Sequence, residues 1–127
     1  MKLLLDTCTF LWIVEHADLP ARVMELFRSG DNDAYLSAAS AAEVAVKYST
    51  RRLQLAEPPE RWLPAQRAAH GIATLAIDEE SALHVARLPP LHRDPFDRLL
   101  VAQAIVHGMT ILTPDRLITQ YPARTLW

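Results

Sequence analysis

The chain has 127 residues, half of them hydrophobic, which suits a single domain over residues 1–127 with a core of ordinary size. A formal net charge of −2 excludes a strongly basic surface but leaves room for local basic patches, and a lone cysteine, Cys8, excludes an internal disulfide and a cysteine-built zinc centre. No apolar run reaches the roughly 18 residues of a membrane span, and the apolar start ends after three leucines at Asp6, too short for a signal peptide; the expectation is a cytoplasmic protein with no membrane contact.

Taken in order, residues 2–5 (KLLL) are a continuous apolar run, the pattern of a strand buried on both faces. Asp6 or Thr7 can cap the helical segment TFLWIVEH that follows. Leu19-Pro20 opens a second helix, ARVMELFRS, closed by Gly30 and the polar turn at 31–33. Residues 34–37 form a second strand. The stretch ASAAEVAVKYSTRRL, residues 39–53, is helical by composition; Ser40 and Glu43 have capping-box spacing, and Glu43 with Lys47 is a favourable i,i+4 pair. Pro58-Pro59 marks a loop before the helix RWLPAQRAAHG, which Pro64 starts or kinks.

Residues 73–77 read as a third strand. Asp78 caps the helix EESALHVARL, which Pro89-Pro90 ends. The next helix has the strongest signature: Asp94 is a good N-cap, Pro95 suits the first helical position, Asp97 falls in the first turn, and Gly108 closes the element. A fourth strand spans 110–113. Pro114-Asp115 then turns into a short helix, RLITQY, and residues 124–127 add an edge strand. The alternation β-α-α-β-α-α-β-α-α-β-α-β predicts an α/β fold, a parallel sheet with helices on both faces.

In such a sheet ligands bind at the carboxyl ends of the strands. Asp6 directly follows the first strand, Glu43 lies early in the helix after the second, and Asp115 lies just past the fourth. Asp97 sits at a helix start whose edge the sequence leaves open. Carboxylates converging at one edge repel unless a cation lies among them. Hard oxygen donors without His or Cys favour Mg²⁺ or Mn²⁺, metals suited to phosphate ester hydrolysis. Each acid also has a purely structural role open to it: Glu43 as the third helical residue of a capping box, Asp94 as a cap, Asp97 and Asp115 as complements to helix dipoles. Asp6 is hardest to explain that way, because an acid beside three buried leucines is costly if unpaired. The five histidines show no zinc spacing; His92 reads as a loop residue and His107 as a helix end. Cys8 and the three tryptophans read as packing residues. Eleven of the thirteen basic residues are arginine, which suits phosphate recognition but equally follows from a GC-rich genome.

The segments LLLDTCTFLW, SAASAAEVAVKYSTRRLQL and LPPLHRDPFDRLLVAQAIVHGMTILTPD together resemble the PIN-domain nucleases, and among them the VapC-type toxins of bacterial toxin–antitoxin pairs. The resemblance spans nearly the whole chain, and the DPFDRLLVAQA stretch followed by ILTPD is its most specific part. It implies a three-layer α/β/α fold and a Mg²⁺-dependent (or Mn²⁺-dependent) endoribonuclease that leaves 5′-phosphate and 3′-hydroxyl ends. The family's acids fall on Asp6, Glu43, Asp97 and Asp115, with Asp6 and Asp97 holding metal most directly and Glu43 and Asp115 completing the site or orienting water. Asp94 and Thr113 are expected just behind them. Lys47, Arg51 and Arg52 are candidates for contact with RNA. A homodimer and a cognate antitoxin are the implied partners, with Trp12, Leu53, Leu55 and Trp62 as apolar residues a partner could bury. One departure is AAEVAVK around Glu43, where relatives often carry a bulky aromatic before the acid; it affects packing more than chemistry.

Other classes fit less well. A phosphatase of the haloacid dehalogenase type needs an Asp two residues after Asp6, where Cys8 stands. A receiver-type phosphoacceptor domain needs an Asp ending a central strand, whereas the second strand ends at Ser37 and the third runs into the cap Asp78. A catalytically silent PIN domain that only binds RNA or a protein would not require all four acids.

Overall fold

The computed structural model describes residues 1–127. Five strands, β1 (Lys2–Leu5), β2 (Asp33–Ser37), β3 (Ala73–Leu75), β4 (Thr110–Leu112) and β5 (Arg124–Leu126), form one sheet of order β3-β2-β1-β4-β5, parallel throughout. The central strand is the KLLL run. Leu3, Leu4 and Leu5 are wholly buried because both faces of β1 are covered. Successive side chains point to opposite faces, so Leu4 and Ile111 enter one core while Leu5 and Leu112 enter the other.

The second core takes Phe10 and Ile13 from α1 (Thr7–Val14), Val23 from α2 (Ala21–Arg28), Val44 from α3 (Ala38–Ser49) and Leu63 from α4 (Pro59–Ala69). The first core takes Leu100, Val101 and Ala104 from α6 (Pro95–His107), with Leu88, which follows α5 (Glu79–His84) and a 3₁₀ turn. Two helical layers thus sandwich the sheet, the predicted three-layer α/β/α arrangement. None of the helices is long and apolar enough to cross a membrane.

The helix boundaries depart from the sequence reading in places that matter for the site. Ser37, not Ser40, caps α3: its Oγ accepts the Ala39 N–H at 2.9 Å. Ser40 therefore lies one turn inside the helix and is buried against α1. The same helix ends at Ser49 instead of running to Leu53. The hydroxyls of Ser49 and Thr50 take up the Val46 carbonyl, and Arg51 turns to φ 61°, a left-handed conformation that stops the helix. Pro64 lies inside α4, which begins at Pro59. The segment 116–121 contains only a single 3₁₀ turn, Ile118–Gln120.

The start and end of α6 follow the sequence closely. Asp94 Oδ1 accepts from the N–H groups of Phe96 and Asp97 at 2.8 and 3.3 Å, and Gly108 adopts φ 63° at the exit. That exit feeds β4 directly, so α6 runs against the strands and its N-terminus lies at their carboxyl edge. The topology thereby answers the question left open for Asp97.

Candidate metal centre at the carboxyl edge of the sheet

Asp6 ends β1 and caps α1: Oδ1 accepts the Thr9 N–H at 2.7 Å, while Oδ2 accepts the Thr113 hydroxyl at 2.5 Å. One side chain thus caps α1 and bonds the residue that follows β4. Thr113, just past β4, also accepts the Asp115 N–H at 3.0 Å, so a single hydroxyl ties the two acid-bearing segments together. Asp115 Oδ1 in turn accepts from Leu117 N–H at 2.8 Å.

On the other flank, Thr7 Oγ1 lies 2.8 Å from Glu43 Oε1 and 2.9 Å from Ser40 Oγ. A threonine hydroxyl has one proton, so it serves the carboxylate and accepts from Ser40. Lys47 Nζ holds Glu43 Oε2 at 2.6 Å, the i,i+4 pair read from the sequence. That contact raises the Lys47 ammonium pKa above its ordinary value.

Asp97 meets an unforeseen partner. His92 Nε2 lies 2.9 Å from Asp97 Oδ2, and ligand atoms of His92, Asp97 and Asp115 all fall within 4.8 Å of one another. His92 Nδ1 accepts the Asp94 N–H at 3.2 Å, which in the neutral ring leaves the proton on Nε2, facing Asp97. The loop carrying His92 is itself anchored. Tyr121 Oη accepts the His92 N–H at 2.9 Å and a proton from Arg98, whose guanidinium also binds the carbonyls of Pro89 and Val85. Nothing in the spacing of the histidines signals this; only the loop's proximity to its own cap Asp94 could have suggested it.

The electrostatics agree with crowded anions. Burial pushes the Asp6 carboxyl above its usual range, with Asp115 adding to the effect and the bonds from Thr113 and Thr9 opposing it. Asp97 is pushed up to about 7, first by burial and then by Asp94, Glu43 and Asp115, with His92 opposing. All four expected acids therefore share one neighbourhood, although Asp6 and Glu43 lie outside the tightest group. The donor set is carboxylate oxygen, with the His92 ring hydrogen-bonded to Asp97 beside it, and Asp97 Oδ1 and Asp115 Oδ2 accept no protein hydrogen bond. Such oxygens fit a hard divalent cation.

Other expectations are redirected. Cys8 is exposed, not packed, and lies within electrostatic reach of Asp6, Glu43 and Asp97. Asp78 stands before α5 without a side-chain capping bond and pairs with His107 at 3.1 Å. Trp62 packs edge-on to Phe10 and Trp12 to Trp127, and Leu53 and Leu55 lie against the core, so these four are largely occupied within the chain. Gln103, wholly buried in α6, hydrogen-bonds Ser37 Oγ and the Ala76 carbonyl, fixing the helix that carries Asp97 against β2.

A three-layer parallel α/β domain with carboxylates gathered at the switch between β1 and its neighbours defines an acidic-site protein of the kind that handles phosphate esters. The chain belongs to the PIN domain family, whose model matches residues 3–123. It is 32% identical over 120 residues to Ribonuclease VapC22 of Mycobacterium tuberculosis, covering 93% of this chain and 90% of the relative. Its fold is similar to that in the structure of VapBC2 from Rickettsia felis bound to a promoter DNA fragment (17% identity, TM-score 0.75, covering 99% of this chain and 98% of that one). It is also similar to DNA-bound VapBC from Salmonella typhimurium (21% identity, TM-score 0.69, covering 99% and 97%).

Proposed function

We propose that this protein is a metal-dependent endoribonuclease acting as the toxin of a toxin–antitoxin pair. The observation that carries the reading is the convergence of Asp6, Glu43, Asp97 and Asp115 at one sheet edge, in a PIN-family chain related to a ribonuclease. Asp97 and Asp115, each with an oxygen free of protein hydrogen bonds, and Asp6, held by Thr113, are the residues that would bind Mg²⁺ or Mn²⁺. When bound, such an ion lowers the pKa of water and offsets charge developing on phosphorus. Glu43, fixed by Thr7 and Lys47, orients the attacking water. The P–O3′ bond then breaks, leaving 5′-phosphate and 3′-hydroxyl ends. Asp94 works from behind as the cap that sets the angle of the α6 N-terminus.

The test is incubation of the purified chain with labelled RNA. Cleavage should require Mg²⁺ or Mn²⁺, stop with EDTA, and vanish in Asp97→Asn. Cleavage that persists in EDTA would overturn the metal reading, and intact RNA with folded, metal-loaded protein would leave a silent PIN domain.

The partner side of the proposal is an antitoxin and a homodimer in the cytoplasm, the whole chain acting as one domain. Structures similar to this fold come from VapBC complexes. An apolar groove of about 610 Å³ between α3 and α4, lined by Ala41, Ala45, Tyr48, Pro58 and Leu63, is a surface of the kind a partner helix covers. Light scattering should give twice the chain mass; a monomer at micromolar concentration, alone and with its antitoxin, counts against the dimer.

A further inference from the structure

Beside the acids, the last turn of α3, the bend after it and the entry to α6 enclose a cleft of about 300 Å³. Glu43, one of the four acids of the candidate metal centre, is among its lining residues, so the cleft adjoins that centre. Lys47, Arg52 and Arg93 bring three cations to it from three segments, and Pro95 and Phe96 give it an apolar side.

The placement of these cations follows from backbone geometry. Arg51 takes the left-handed conformation, and Arg52 N–H then folds back to the Lys47 carbonyl at 2.8 Å. This reversal separates two adjacent arginines. Arg52 lines the cleft, with Nε held on the Thr50 hydroxyl at 3.1 Å, while Arg51 faces a different depression with Tyr48, Leu53 and Leu55. Arg93 forms no ion pair with any carboxylate of the chain, although Glu43 and Asp94 line the same cleft. The two cleft acids are already engaged, Glu43 with Lys47 and Thr7 and Asp94 in capping α6. Unpaired guanidinium groups next to an aromatic ring are the elements with which proteins hold single-stranded nucleic acid: charge for the phosphate, a flat face for the base.

We propose that this cleft is a nucleotide subsite, in which Arg52 and Arg93 grip the phosphate next to the one being cut and Phe96 stacks the attached base. The proposal rests on the ribonuclease reading and adds to it the residues that seat the strand. An acidic protein segment would match the cations but gains nothing from the ring, and RNA passing over Glu43 must run through or beside this cleft.

The experiment measures fluorescence anisotropy of a short fluorescein-labelled single-stranded RNA on Asp97→Asn protein, where the strand stays intact. Arg52→Ala and Arg93→Ala should each weaken binding and flatten the dependence of log K on log salt by about 0.7, and Arg93→Lys should keep the parent's slope. Phe96→Leu should weaken binding about five- to a hundredfold at unchanged slope, and Phe96→Tyr should bind as the parent does. Both arginine variants binding with the parent's affinity and slope would overturn the subsite, as would Phe96→Leu binding like the parent. Variants that lose only co-elution with the antitoxin would assign the cleft to the partner protein and overturn it too. A separate assay of wild-type protein on bis(p-nitrophenyl) phosphate keeps the two readings apart. No hydrolysis of that diester or of RNA sinks the nuclease reading and leaves the binding series to decide the cleft.

Discussion

His92 holds one carboxylate oxygen of Asp97, as Thr113 holds one of Asp6 and Thr7 one of Glu43. The other oxygen of Asp6 accepts from Thr9 and that of Glu43 from Lys47, so of the three only Asp97 keeps an oxygen free for a cation. Because Nδ1 already accepts the Asp94 N–H, Nε2 carries the proton, so the ring is a positioning group and not a metal ligand. Removing such a partner commonly costs about 10- to 100-fold in metal affinity. His92→Phe should therefore weaken Mn²⁺ binding by calorimetry to that extent, and Mn²⁺ bound to wild type should show no nitrogen coupling by electron spin echo. A nitrogen signal would make His92 a ligand instead. Asp97 also predicts a pH dependence. Its carboxyl is near 7 in the folded, metal-free protein against an ordinary value of 3.8. Across that window the folded state holds a proton that the unfolded state has released, so stability present at acid pH is lost as pH rises towards 7. Asp6, shifted the same way by burial, adds to the trend. Melting in EDTA should fall from pH 5 to pH 8, Mn²⁺ should restore it at pH 8, and Asp97→Asn should flatten the slope. A melting temperature that rises over this range would refute the assignment.

Among the elements, α6 shows what a sequence can carry. Its cap, first-turn proline, acid and terminal glycine are all local signals, and the structure realises each one. The position of its N-terminus relative to the sheet was not local, since it depends on α6 running antiparallel to β4. For the same reason His92 gives no local signal: the loop residue meets Asp97 because Tyr121, 29 residues away in sequence, and Arg98 at the start of α6 hold the loop down. The end of α3 at Ser49 leaves no mark in the sequence, because Arg51 is not a glycine and gives no sign of a left-handed turn, yet that turn decides which arginine faces the cleft. The capping role of Asp94 can be separated from any role of its charge. Asn caps about as well as Asp, whereas Ala costs about 1 kcal/mol. Thermal unfolding should place Asp94→Asn close to wild type and Asp94→Ala measurably lower. Equal loss in both would mean that the charge, not the cap, stabilises the α6 start.

At the scale of the whole molecule, four distant stretches of chain meet in one candidate site because parallel strands end on the same side and α6, running against them, starts there. Three of these placements follow from the order of elements, Asp6 and Asp115 lying just past β1 and β4 and Glu43 early in the helix after β2, whereas that of Asp97 does not. The convergence also sets a conflict between folding and function. Asp6 is 5% exposed, follows a fully buried strand and faces other carboxylates, so its charge is held against desolvation and repulsion. Like charges a few ångströms apart near a surface interact by roughly 1 to 4 kcal/mol. Asp6→Asn removes that charge while keeping an oxygen for the Thr9 N–H, and Asn caps a helix about as well as Asp. The metal-free variant should therefore melt no lower than wild type, and higher where the repulsion outweighs the weakened bond to Thr113. Its Mn²⁺ affinity should fall, and its RNA cleavage should nearly vanish, because a member of the cation-binding set has lost its charge. Were Asp6 only the cap of α1, the same variant would fold, bind Mn²⁺ and cut RNA as wild type does. Calorimetry and a cleavage assay on one purified variant therefore decide whether this buried acid is kept for the fold or for the chemistry.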